Sequence, residues 1–301
     1  MFEEKHFGMA DMRRGFEYSL GKILLGCVKN YTAVKKSSEL RCPAMSELSQ
    51  VSMRTKIIAS VAIFSALYGV IRLIPLGPMI GLSASFSVGD SLAPLYGIIL
   101  GPFAGGVSVV LGTFLAMALG KAPVFLGLDF LPALVNAVAL GFMVKRNWKP
   151  VMILNVALLL IFLLSPYSLL LVVVPLGAGN FVFPFVWLHI LALIVLISPL
   201  RTKVIYWIET LKTTYLPWSI AIVAFIGTMM QHLTGNLVFE LTYGQPIGGL
   251  TAESFQGIWT VAFFAYPVER AVLVLITVLV GVPLVRILKK SLFANHAPKT
   301  S

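Results

Sequence analysis

Residues 90–112 read DSLAPLYGIILGPFAGGVSVVLG. Two apolar stretches, Leu92 to Leu100 and Phe103 to Leu119, are separated only by Gly101 and Pro102. A break of two residues leaves room for nothing but a tight helical hairpin, and the fold is read outward from that hairpin. Further apolar runs long enough, or nearly so, for the roughly 20 residues a spanning helix needs start near Ile57, Leu131, Val151, Phe181, Leu216 and Pro267, which makes eight candidate spans. The fifth, Val151 to Pro175, carries Pro166 and is expected to kink there. The sixth ends at Pro199, and the seventh runs from Leu216 to Tyr243 into a loop ending near Ser254.

Composition agrees. Of 301 residues 58% are hydrophobic and 12% charged, against about 25% charged in a typical soluble domain. The reading is an all-α integral membrane protein, with a basic leader over 1–56, a transmembrane bundle over 57–290 and a tail over 291–301. Cys27 and Cys42 both precede the first span, so no disulfide framework or thiolate metal site is expected in the membrane body. The formal charge of +11 divides into ten basic and six acidic residues in 1–56 and thirteen basic and six acidic thereafter. With the amino terminus inside, Lys145, Arg146, Lys149, Arg201, Lys203, Lys212, Arg286, Lys289 and Lys290 fall on inner loops or helix ends, and only Arg72, Lys121 and Arg270 lie outward. By the positive-inside rule both termini are expected in the cytoplasm. These positions follow membrane topology, which argues against nucleic acid as a partner.

In residues 12–34, Phe16, Leu20, Ile23, Leu24, Cys27, Val28 and Tyr31 recur at helical spacing among basic residues, the pattern of an amphipathic helix on the inner leaflet. The alternative is a true start at Met45 or Met53; the two readings stay open. No secretory signal pattern is present.

The third span carries Ala104, Ser108, Gly112, Ala116 and Gly120 at every fourth position, and the first carries Ala62 and Ala66. Small residues so spaced allow close helix approach, either inside the bundle or against a partner subunit. The seventh span carries Thr228, His232, Asn236 and Glu240 on one face, with Gln231 beside them. An ionisable group at mid-bilayer costs at least about 2.5–3.5 kcal/mol, so this stripe is expected to face protein or a cavity. His232 and Glu240 are about 12 Å apart along the axis at 1.5 Å per residue, too far to share a metal ion; a metal site would need His189 as well, and neither metal nor cofactor is expected.

Arg72, Asp90, Lys121, Asp129, Glu240, Glu253, Glu269 and Arg270 gather at the outward level. Snorkelling explains part of this set, Lys121 and Glu253 first. Glu269 and Arg270, placed at the start of the last span, need partners on other helices. Asn136, Asn180, Trp187, His189 and Tyr266 lie near the same level, Trp187 and Tyr266 also being suited to an interfacial belt. The acidic excess favours a cationic or polar substrate. No HExxH, GxSxG, Walker A or CxxC motif is present, and no enzyme is expected.

The run Asp90–Gly112, with Gly101-Pro102 at its centre, resembles the second and third helices of the substrate-binding S components of energy-coupling-factor (ECF) transporters. In that family a small membrane protein captures a vitamin or related micronutrient from outside and docks through small-residue motifs on helices one and three to a coupling subunit driven by two ATPases. The resemblance is good over 57–146 and weaker over 216–290. The middle departs, Val151 to Pro199 supplying two spans beyond the usual six. It implies a multi-pass cell-membrane protein, an S-component-like bundle of six core spans plus two, with docking at Ala62, Ala66, Ala104, Ser108, Gly112 and Ala116. The loop Pro75–Gly89 is similar to the family's gating loop. An outward substrate site is expected from Arg72, Asp90, Asn136, Trp187, His189, Thr228, His232, Asn236, Glu240, Tyr266, Glu269 and Arg270. The rival reading is a stand-alone proton-coupled secondary transporter with Glu240 and His232 as its relay.

Overall fold

The computed structural model describes residues 43–176 and 179–293. The amphipathic helix expected over 12–34 and the tail from 294 lie outside the described residues. In chain order the elements are α1 (Pro43–Ile71), a two-stranded ribbon of β1 (Pro75–Pro78) and β2 (Ser85–Ser87), α2 (Val88–Leu100), α3 (Pro102–Ala118), α4 (Leu131–Val144), α5 (Trp148–Leu164), a second ribbon of β3 (Leu171–Leu176) and β4 (Gly179–Pro184), α6 (Trp187–Ile197), α7 (Leu200–Glu209), α8 (Leu216–Tyr243) and α9 (Ala252–Phe293). The residues from Ala59 onward form a compact unit of their own.

This is a helical membrane protein. Among the described residues α8 and α9 are each long and apolar enough to cross a bilayer, and α6 with α7, bent by 73°, adds a third span if the pair is taken together. Thr55–Ile71 and helices α2 to α5 are shorter and apolar. Their outward faces are apolar too, with Ile63, Phe103, Ile153, Leu164 and Leu279 each at least 66% exposed. A helix apolar all round belongs in a core or a bilayer, and these faces have no core to cover them.

The hairpin forms as expected. Gly101 turns the chain at φ +82°, a conformation that costs glycine little, and Pro102 opens α3 at a position where its missing N–H is no loss. Both arms pack on α4. Helix α8 runs through the centre, with contacts to α4, α6, α7 and α9, and most of its length is buried.

Three expectations need correction. The fifth span ends at Leu164, not Pro175, so no kink forms at Pro166: proline cannot donate to the helix, and the β-branched run Val172–Val174 pairs antiparallel with Phe181–Phe183 instead. Consequently the sixth helix begins at Trp187, not Phe181. The last helix starts at Ala252 and passes through Pro267, which places Glu269 and Arg270 well inside it. The third correction concerns the small-residue ridge of α3. Ser108, Gly112 and Ala116 are buried within the bundle and Ala104 is half-buried. A Cβ on Gly112 would lie 2.7 Å from the Ser65 carbonyl oxygen and 2.8 Å from the Tyr68 Cβ, so this ridge seats α1 and is not a free docking surface. Ala62 and Ala66 are exposed.

Candidate functional site

Five charged residues are brought together from four parts of the chain. Arg72 follows the last turn of α1, Asp90 sits in the first turn of α2, Lys121 and Asp129 flank the α3–α4 connection, and Arg270 comes from α9. All five line one cavity of about 100 Å³ together with Gln231, His232 and Asn236 of α8. The ribbon supplies another wall through Met79, Ile80, Leu82, Ser85 and Phe86. Its register pairs Gly77 with Phe86 and Pro78 with Ser85, and the next residue along β2, Ser87, hydrogen-bonds Asp90. Phe125, Phe239, Trp259 and Tyr266 make the apolar side.

Most of the charge is engaged in holding the walls. Arg72 donates to Asp90 Oδ1 at 3.1 Å, to the Tyr68 hydroxyl at 3.2 Å and to the Asp129 carbonyl at 3.0 Å. The other Asp90 oxygen accepts from the Ser87 amide and hydroxyl, both at 2.8 Å. Asp129 accepts from the Val124 and Phe125 amides at 2.9 and 3.1 Å. Lys121 Nζ donates to the Arg72 carbonyl at 2.7 Å; burial pushes its pKa down, against the pull of Asp90. Arg270 is different. Its side chain is 3% exposed, and among the described residues its one carboxylate contact is Glu269 at 3.5 Å and its Nε has no acceptor. Its guanidinium lies 5.2 Å from the centre of the Phe86 ring, which ties the ribbon to α9 by a cation–π contact.

The polar stripe of α8 divides among different neighbours because that helix is enclosed by different elements along its length. Thr228 donates to its own helix at the Phe225 carbonyl. His232 lines the cavity and hydrogen-bonds His189 of α6, Nδ1 to Nε2 at 3.1 Å. Tyr266 stacks on His232 with ring centres 5.0 Å apart and donates to the Phe185 carbonyl. Asn236 lines the cavity, and its Nδ2 is buried without an acceptor. Glu240 lies outside the cavity lining; it accepts from Ser165 at 2.6 Å through Oε2, while Oε1 is unpartnered.

Of the substrate residues expected from sequence, Arg72, Asp90, His232, Asn236, Tyr266, Glu269 and Arg270 therefore meet at the cavity. His189 and Asn136 stand behind it, Asn136 donating to Gln231 at 2.6 Å. Thr228, Glu240 and the partly exposed Trp187 are elsewhere. Sequence reasoning passed over Gln231, Lys121 and Asp129 as site residues and missed Phe125, Phe239 and Trp259 of the apolar wall, which no motif marks. Among the described residues no three His, Cys, Asp or Glu side chains cluster to hold a metal ion. No protein-family model, curated protein or solved structure matches this chain.

Proposed function

We propose that the chain is the substrate-capture subunit of an ECF-type importer of a vitamin-like small molecule, spanning the cell membrane eight times with both termini in the cytoplasm. One observation carries this reading. Arg72, Lys121 and Arg270, the three basic residues that depart from the positive-inside pattern, all line the cavity under the ribbon. Charge placed against topology and then gathered at one site is the mark of a binding function. The cavity opens at the end of the bundle where α1 finishes and α2 begins. The opposite end carries the inner cations, including Arg146, which is paired to Glu209 at 2.6 Å. Eight crossings result when α6 and α7 are counted as one bent span.

Docking to the coupling subunit belongs to α1 in this reading: Ala62 and Ala66 lie exposed beside Ile63, Leu67 and Val70, and small residues on an open apolar face admit a second helix. The two spans beyond six, α5 and α6–α7, pack on α8. The chain itself performs no chemistry, and two ATPases on the partner supply energy.

A second reading rests on Glu240, buried with one unpartnered oxygen, and on the His189–His232 pair: a proton-coupled transporter acting alone. Reconstitution separates the two. Uptake by proteoliposomes only when coupling subunit and ATPases are included, and insensitive to a protonophore, is expected. Uptake by the purified chain alone that a protonophore abolishes would replace the first reading by the second.

A further inference from the structure

The cavity's hydrogen-bonding groups are not balanced. Asp90 and Asp129 have both carboxylate oxygens hydrogen-bonded by the wall that holds them. Arg72 and Lys121 are likewise engaged. Among the described residues two buried donors of the lining have no acceptor at all. Among the described residues Arg270 has a buried Nε with no acceptor, and its only carboxylate partner is at 3.5 Å, long beside the roughly 2.7–2.9 Å of a charge-assisted bond. Asn236, 6% exposed, has a buried Nδ2 with no acceptor. Both line the cavity. Buried donors left unmade are costly, and an oxyanion is the group that either would accept, a guanidinium edge matching a carboxylate in a two-bond fork.

Charge arithmetic chooses among oxyanions. Arg72, Lys121 and Arg270 face Asp90, Asp129 and Glu269 across the cavity, so the lining is neutral and a monoanion disturbs it less than a dianionic phosphate. The apolar wall of Phe239 and Trp259, 5% and 3% exposed, offers flat surface for a ring. We infer that the captured molecule is a small, flat organic acid whose carboxylate is held by Arg270 and Asn236 while its ring lies against Trp259 and Phe239. This rests on the capture reading and gives it a substrate class, an anionic one where the count of acidic residues favours a cationic or polar substrate.

The test uses the full chain in mild detergent and three probes that share a ring of one size and differ in charge: benzoate, benzamide and benzylamine. Binding is read from the thermal unfolding midpoint across a titration to millimolar concentration, in the wild type and in the Arg270→Gln, Arg270→Lys and Glu269→Gln variants. Benzoate is expected to stabilise the wild type and the other two probes not. Arg270→Gln is expected to weaken benzoate by about tenfold to a hundredfold, with Arg270→Lys between, because an ammonium keeps the charge without the fork. Glu269→Gln is expected to tighten it, since the competing carboxylate is gone; a structural role for Arg270 predicts no such gain. If Arg270→Gln does not fold, Glu269→Gln decides, and unchanged or weaker benzoate binding there overturns the inference. Benzamide or benzylamine binding as well as benzoate overturns the acid assignment while leaving capture of a small molecule intact. Stabilisation by none of the three overturns it also, and the reconstituted uptake assay then judges the capture reading separately.

Discussion

Arg72 and Asp90 meet at 3.1 Å with side chains 7% and 13% exposed, and each has further hydrogen bonds that complete the pair. Removing one member of such a pair strands a buried charge, a loss of about 3–5 kcal/mol. Arg72→Ala is therefore expected to lower the thermal unfolding midpoint sharply, whereas the double replacement Arg72→Met with Asp90→Leu recovers most of it; equal losses in both would show that the pair is not what holds the site. His232 and Glu240 make the opposite test of residue roles. They look equivalent on a helical wheel, yet only His232 reaches the cavity. His232→Ala should weaken ligand binding about tenfold, or ~1.4 kcal/mol, and Glu240→Ala should leave affinity unchanged. Equal effects in a binding titration would return Glu240 to the site. Helical spacing shows that residues share a face; it does not show which neighbour each meets, so Thr228 and Glu240 could not be told from Asn236 in advance.

At the scale of elements, the α2–α3 hairpin was fully legible because Gly101-Pro102 allows one geometry, and α8 was placed to its ends by the apolar run Leu216–Tyr243. The β3–β4 ribbon was not, since an apolar stretch such as Leu169–Val174 satisfies a spanning helix and a strand equally until its partner, Phe181–Phe183, is known. The start of α9 was misread for a related reason: Pro267 suggests a helix start, but a long membrane helix carries proline in its interior. Small-residue spacing was legible as close approach while its direction was not. Gly112→Leu should consequently destabilise the bundle by about 1–3 kcal/mol through overpacking against Ser65 and Tyr68. Ala62→Leu with Ala66→Leu should keep the unfolding midpoint and ligand affinity of the wild type and lose co-purification of the coupling subunit. A normal complex from that double variant would move docking off α1.

For the whole molecule, topology organises everything else. In the proposed topology the inner end holds the basic residues that the positive-inside rule puts there, and the outer end holds Arg72, Lys121 and Arg270 around the cavity. Single cysteines in a background lacking Cys27 and Cys42 test this directly: Ser83→Cys, exposed beside the ribbon, should react with a membrane-impermeant maleimide on intact cells, and Thr214→Cys, exposed before α8, only after permeabilisation. The reverse pattern would invert the molecule and put the cavity inside. In the proposed function the cavity beneath the ribbon holds a molecule captured from outside. Mass spectrometry of small molecules retained by the tagged wild type after mild-detergent purification from its own host, run beside Asn236→Leu, tests it most directly. A vitamin-like acid retained by the wild type and lost from the folded variant is expected. The same molecule retained equally by both proteins, or no molecule in either, would contradict it.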